Sequence, residues 1–176
     1  MNIKFIALVS GFALSLSAHA GQTTTTKDMQ SSMEQMAAAQ SRMMQAMMLE
    51  KQSRLNFDDT VAALQRNAQA RGWKIAGVFD MQDAMRKAGH NDAKPMKMIG
   101  MCPQPQVEAL LKAQQAAHMP PGGISCRYSV YEGLDGKVYV MRFNTALLAK
   151  MAKGDVAAAL NNFDKEEDAV MAGVIR

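Results

Sequence analysis

The segment that decides the fold is a predicted β-hairpin, ISCRYSVYEGLDGKVYVMRF, at residues 124–143. In its first half every second residue is apolar, which is the pattern of a half-buried strand. These residues are Ile124, Cys126, Tyr128 and Val130. Residues 132–136 combine Gly and Asp as tight turns do, and residues 137–143 are expected to form the partner strand.

Helices and shorter strands are predicted around this hairpin. In chain order we expect a helix from Asp58 or Asp59 to Gly72, a strand at 73–79, a short helix at 80–88, a strand at 96–102, a helix at 106–117, and helices from about Thr145 and Asp155. This order predicts an α+β fold with one small sheet, a C-terminal β-hairpin and helices packed on one face, plus an N-terminal Met-rich helix and a C-terminal helix.

The first 20 residues have the arrangement of a secretory signal peptide. Lys4 precedes an apolar run, and small residues occupy the −3 and −1 positions before a cleavage site after Ala20. The run of about a dozen residues is shorter than the roughly 20 that span a membrane as a helix. We therefore expect a periplasmic or secreted protein that begins at Gly21 and has no membrane span.

The 17 methionines are the unusual feature of the composition. After a polar leader, the segment 28–53 places Met residues three or four positions apart, which predicts a helix with one apolar stripe. An isolated helix of this length is marginally stable in water, so the stripe needs a covering surface. Because methionine packs adaptably, we expect an interaction element that binds a protein partner or a second copy of itself.

The predicted organisation follows from these segments. Residues 1–20 are the signal peptide, 21–53 the leader and Met-rich helix, 54–153 the main domain, and 154–176 the C-terminal helix.

Cys102 and Cys126 are the two cysteines of the chain. An oxidising compartment and an even count favour a structural disulfide, which would stabilise the fold by roughly 3–4 kcal/mol on the chain-entropy model. A pair of thiolate ligands and a redox-active thiol are the alternative interpretations. The spacing excludes a C-x-x-C motif.

Soft ligands allow a second functional interpretation, a Cu(I) site. Thioethers and thiolates select Cu(I), and an exported protein can meet copper. The candidate ligands are Met43, Met44, Met47, Met48, Met101, Cys102, His118 and Met119. Packing of an apolar stripe explains the helical spacing of the methionines without a metal, so the absence of a cofactor is the primary expectation.

Common catalytic motifs are absent from the sequence. It contains no nucleophile elbow, phosphate-binding loop or dinucleotide fingerprint, and a non-enzymatic protein is favoured. A formal net charge of +4, without aromatic residues among the basic ones, argues against nucleic-acid binding. The acidic run at 164–168 is interpreted as the solvated face of the last helix.

The segment 57–143 resembles the family called domain of unknown function 302. The resemblance is carried by FDDTV at 57–61, RGWKI at 71–75, Cys102-Pro103 at the end of an apolar strand, CRYSVYE at 126–132 and DGKVY at 135–139. It implies the fold expected above, and exported members often carry cysteines that match Cys102 and Cys126. The activity of the family is not established.

The sequence therefore favours an exported, non-enzymatic binding or interaction domain with one disulfide. A Cu(I)-handling protein is the first alternative, and a thiol redox or sulfur-transfer protein is the second. Neither a small ligand nor a particular partner can be named from the residues.

Overall fold

A computed structural model describes residues 26–122 and 124–176, with side chains from Asp28 onward. The expected signal peptide and its cleavage site lie outside these residues. The chain divides into two compact units, residues 1–38 and 39–176. The described part of the first unit is helical, and the second unit contains the sheet and the later helices.

Six helices and five strands lie within the described residues. The helices are α1 (Thr26–Ala46), α2 (Phe57–Ala70), α3 (Met81–Lys87), α4 (Gln104–Ala116), α5 (Thr145–Met151) and α6 (Gly154–Met171). The strands are β1 (Met48–Gln52), β2 (Lys74–Asp80), β3 (Met96–Cys102), β4 (Arg127–Glu132) and β5 (Val138–Phe143). The predicted α+β class is confirmed.

The five strands form one antiparallel sheet in the order β1-β5-β4-β3-β2. The predicted hairpin is its centre, because β4 pairs with β5 in a register that places Val130 opposite Val140. Gly136 closes the turn at a φ of 73°, a left-handed conformation that glycine adopts without steric cost.

The Met-rich helix is shorter than the sequence predicts. It ends at Ala46 rather than near Ser53, and residues 48–52 form the edge strand β1. This strand pairs with β5, where Leu49 lies opposite Arg142. The main-chain hydrogen bonds to β5 outweigh the helical preference of these residues, as tertiary context often does.

Helices α2 and α6 cover one face of the sheet. Leu64 and Ala68 of α2 and Val170 of α6 form a buried cluster with inward-facing residues of β3, β4 and β5. Trp73 lies at the edge of this core, with its ring centroid 6.2 Å from that of Tyr128. A second cluster joins α4, α5 and α6.

The C-terminal helix also ends earlier than expected. Helix α6 stops at Met171, and the last residues return to β1. The amide of Arg54 donates to the carbonyl of Val174 at 2.8 Å, and the amide of Arg176 donates to the carbonyl of Gln52 at 3.0 Å. The C-terminal residues therefore cover part of the exposed edge of β1.

A disulfide joins Cys102, the last residue of β3, to Cys126, which directly precedes β4. Their Cα atoms are 5.1 Å apart, within the range that a disulfide spans. The amide of Met101 donates to the carbonyl of Cys126 at 3.0 Å, so the bond links residues that are already neighbours. The predicted pairing is confirmed, and the long segment between the two strands is closed into a loop.

Replacing Cys126 with Ser should lower the free energy of unfolding by about 2–4 kcal/mol, because the unfolded chain regains the entropy of this loop. Chemical denaturation under oxidising conditions measures the loss. Adding a reductant should bring the wild type to the stability of the variant and leave the variant unchanged. Equal denaturation midpoints for the oxidised wild type and the variant would contradict a stabilising role.

Candidate binding surface

The two faces of the sheet differ in burial. On the face covered by α2 and α6, Ile99, Tyr128 and Val140 are buried. On the opposite face, which we call the open face, no described side chain is buried. The open face is formed by Met48, Glu50, Gln52, Lys74, Gly77, Phe79, Met96, Met98, Gly100, Cys102, Arg127, Ser129, Tyr131, Tyr139, Met141 and Phe143.

One row of cross-strand partners crosses the open face from edge to edge. In order, it contains Glu50, Met141, Ser129, Met98 and Phe79. Directly opposed residues of neighbouring strands project to the same side of a sheet, so these side chains form a continuous strip. Phe79, at the β2 edge, is 66 % exposed.

A pair of tyrosines forms the second row of the open face. Tyr131 and Tyr139 lie opposite each other on β4 and β5, and their rings stack with centroids 5.8 Å apart. The hydroxyl of Tyr131 donates to the carboxylate of Glu50, and that of Tyr139 donates to Asp135 at 2.9 Å. These hydrogen bonds fix two aromatic rings in a surface that is otherwise rich in flexible methionine.

The open face has the composition of a protein-binding surface. Aromatic residues and methionine are enriched in the cores of protein interfaces, where charged residues are depleted. A contiguous apolar patch on a protein surface commonly marks a contact site. The arrangement offers apolar contact and few groups for acid–base chemistry.

The covered face contains a buried charge network. Arg142 of β5 points inward, is 2 % exposed, and donates from Nη1 to Glu167 of α6 at 2.7 Å. Its Nη2 donates to Asp164 at 3.0 Å and to Asp168 at 2.9 Å. Glu167 also accepts a hydrogen bond of 2.6 Å from the hydroxyl of Tyr128. The network attaches the last helix to both strands of the hairpin.

Burial and charge shift the pKa values of this network. Burial raises the pKa of Glu167, although the positive charge of Arg142 opposes the shift. Burial also raises the pKa of Tyr128 well above its ordinary value, and the negative charge of Glu167 raises it further. Burial acts against the charged form of Arg142, but the acids around it raise its pKa overall. The acids around Arg142 therefore favour its charged form.

The interpretation of residues 164–168 as a solvated face is wrong for Glu167, which is fully buried. The sequence position of Glu167 indicates that its side chain is buried. Glu167 follows Phe163 by four residues and precedes Val170 by three, so it lies on the apolar stripe of the helix. The stripe places a carboxylate in the core, where the inward-facing Arg142 pairs with it.

The Cu(I) candidates lie on separate elements. Met43 and Met44 are in the last turn of α1, Met47 follows it, and Met48 begins β1. Of the remaining four, Met101 is fully buried in the core and Cys102 is bonded to Cys126.

The last two candidates, His118 and Met119, follow α4. Met119 lines a pocket of about 220 Å³ together with Leu148, Met151 and Leu160. Within residues 26–122 and 124–176, no three His, Cys, Asp or Glu residues form a group that could hold a metal. No helix in this described part is long and apolar enough to cross a membrane.

Comparison with known proteins identifies a matching family and a similar solved structure. The model of the family described as "Domain of unknown function DUF302" matches residues 49–174, from β1 to the end of the fold. A crystal structure of an uncharacterized conserved protein DUF302 from Bacillus stearothermophilus is similar, with a TM-score of 0.56 at 15 % identity. The similarity covers 70 % of this chain and 94 % of that one. No curated protein matches the chain.

Replacing Arg142 with Met should lower the free energy of unfolding by about 3–5 kcal/mol, because it leaves the buried carboxylate of Glu167 without its counter-charge. Combining Arg142→Met with Glu167→Leu should recover part of the loss. The control is Arg71→Met, which removes an exposed ion pair between Arg71 and Glu166 of α6. This change should affect the free energy of unfolding little, because water screens that pair. Urea denaturation of the four proteins measures these effects, and equal losses for Arg71→Met and Arg142→Met would contradict the role of the network.

Alkaline pH should destabilise the fold through its three tyrosines. Burial raises the pKa of Tyr128 and Tyr131, and the hydrogen bond to Asp135 raises that of Tyr139. Above the ordinary tyrosine pKa of about 10, the folded protein keeps protons that the unfolded chain releases, so stability falls as pH rises. Tyrosinate absorbance should therefore increase together with the loss of circular dichroism. Titration of all three residues near pH 10 in a folded protein would refute this.

Proposed function

Since the chain belongs to the DUF302 family, whose function is uncharacterised, we propose a function from the surfaces of this chain: it is an exported, non-enzymatic interaction domain that binds a protein partner through the open face. The observation that carries the proposal is the contrast between the two faces of the sheet. One is closed by α2 and α6, whereas the other presents Phe79, Met98 and Met141 with no described helix burying them.

Export supports this function and is itself part of the proposal. It rests on the signal-peptide arrangement of residues 1–20. The disulfide fits an oxidising compartment, where such bonds persist. The mass of the protein recovered from the periplasm or medium tests export, since cleavage after Ala20 leaves a chain that begins at Gly21 with two oxidised cysteines.

Site-specific photo-crosslinking in the source organism tests the binding surface. A photoreactive amino acid at position 79 should give a discrete crosslinked species, because this position lies on the open face. The control is position 134, where Leu134 is 98 % exposed in the β4–β5 turn, away from the open face. Strong crosslinking at 79 and background at 134 is the expected result, and equal yields at the two positions would overturn the proposal.

A second variant separates specific binding from chance collisions. Met98→Glu places a charge beside Phe79 on the open face, where Met98 is the direct cross-strand partner. It should abolish the crosslink from position 79 without changing the thermal midpoint by more than a few degrees, because the residue is outside the core. An undiminished crosslink in a folded Met98→Glu protein would also count against the open face.

Cu(I) handling is the second candidate, favoured by one observation. Met43 and Met47 stay one helical turn apart, since the amide of Met47 donates to the carbonyl of Met43 at 3.0 Å. Two thioethers at this spacing can approach one soft ion. The copper content of the purified protein after dialysis tests this candidate.

The thiol redox and sulfur-transfer alternative would require reduction of the Cys102–Cys126 bond to expose a nucleophile. Alkylation of the protein as isolated, without reductant, tests it by counting free thiols. Two alkylated cysteines would favour this alternative over a structural disulfide.

A further inference from the structure

Helix α1 carries a regular seam on one side. Six residues follow one another at intervals of four, three, four, three and four positions: Met29, Met33, Met36, Gln40, Met43 and Met47. The first five of these residues lie within α1. Met47 directly follows the helix, and its amide donates a helical hydrogen bond to the carbonyl of Met43. Alternating steps of three and four are the spacing of the a and d positions of a two-stranded coiled coil.

The residues beside the seam permit close approach of an identical helix. At about 100° per residue, Ala37 and Ala39 flank the seam on opposite sides, and Ala38 lies directly opposite it. Glu34 and Arg42 are each about 140° from the centre of the seam, on the outer side of the helix. Two copies would therefore meet without like charges in contact, and small flanking residues would let their backbones come close.

Gln40 is the single polar residue of the seam, and it stands near the middle. A lone polar residue at an a position fixes the register and orientation of a coiled coil, because it needs a hydrogen-bonding partner at the same level of the other helix. A parallel pair supplies that partner as the second Gln40. An antiparallel pair would place Gln40 against Met36 and leave the amide without a partner.

The side of α1 that carries the seam is exposed. Every residue of α1 from Asp28 onward is exposed, including Met33 at 60 % and Met36 at 72 %. The helix precedes the family match, which begins at residue 49, so the family fold does not require it. A footprint about 27 Å long and 10 Å wide is below the roughly 800 Å² per partner of a standard interface, which indicates a weak, reversible pair.

We propose that α1 pairs in parallel with α1 of a second copy of this chain through the seam, with the two Gln40 amides facing each other. This pairing goes beyond the proposed function, which concerns binding through the open face. It does not involve the open face.

Sedimentation equilibrium of the mature chain, residues 21–176, tests the pairing. We expect a reversible monomer–dimer equilibrium with a dissociation constant on the order of 100 μM. The double variant Met33→Glu/Met36→Glu should raise this constant by about 100-fold or more, because it brings like charges together in the seam. The control Gln35→Glu/Ala38→Glu adds the same charge to the outer side of the helix and should leave the constant within a factor of about 3.

A cysteine crosslink tests the orientation. In a parallel pair, Met33→Cys brings two thiols to the same level and should yield an oxidised dimer, whereas Ala38→Cys should not. An antiparallel pair would separate the two thiols at position 33 by about 15 Å along the axis and prevent the crosslink.

Each outcome decides the proposal. A wild type that stays monomeric to about 1 mM overturns it, as does a dimer that Met33→Glu/Met36→Glu leaves intact. A seam-dependent dimer without the Met33→Cys crosslink overturns the parallel orientation. None of these results affects the crosslink from position 79, so the open face is judged separately.

Discussion

The guanidinium of Arg142 is the constraint around which this domain is organised. A buried cation is costly unless its charge is matched, and here α6 supplies all three carboxylates that pair with the two terminal nitrogens of Arg142. The helix cannot shift along the sheet by one residue without separating Glu167 from both Arg142 and Tyr128. Apolar contacts alone tolerate such sliding, whereas the network specifies one register.

The same network holds the helical layer against the covered face of the sheet. With α6 fixed against β4 and β5, α2 packs beside it, whereas no described side chain of the open face is buried. The disulfide joins the interior strands β3 and β4 at one end of the sheet, and the C-terminal residues pair with the edge strand β1, so the sheet is also restrained at that end and at the β1 edge. The open face is therefore a rigid backbone platform with adaptable side chains.

Local pattern was enough for much of the fold. The strand Met96–Cys102 was predicted residue for residue, because it is apolar and bounded by prolines, and the hairpin followed from its alternation and its turn. Strand β1 was missed because MLEKQ contains good helix formers that continue the methionine spacing, and only pairing with β5 makes it a strand. The sequence does not reveal which face is open, since Tyr139 and Met141 alternate with Val138 and Val140 and both sets are apolar.

The burial of charged residues could not be predicted by considering one segment at a time. The run at 164–168 looks solvated when it is considered alone, and Arg142 looks like an ordinary strand residue. The burial of Glu167 is explained by its pairing with Arg142, and the inward position of Arg142 is explained by Glu167. The two residues are 25 positions apart in the sequence. The apolar stripe through Phe163 and Val170 was the one local pattern that indicated the burial of Glu167. This pattern predicts the position of the side chain better than its charge does.

The sequence distance that these contacts bridge also governs how fast the domain can form. The hydroxyl of Ser53 donates to the carbonyl of Val174, 121 positions away, and the side-chain amide of Asn67 donates to the carbonyl of Val170, 103 positions away. The entropy of such long loops has to be lost before the contacts stabilise the chain, so these contacts slow folding. The domain should therefore fold more slowly than a helical bundle of the same length.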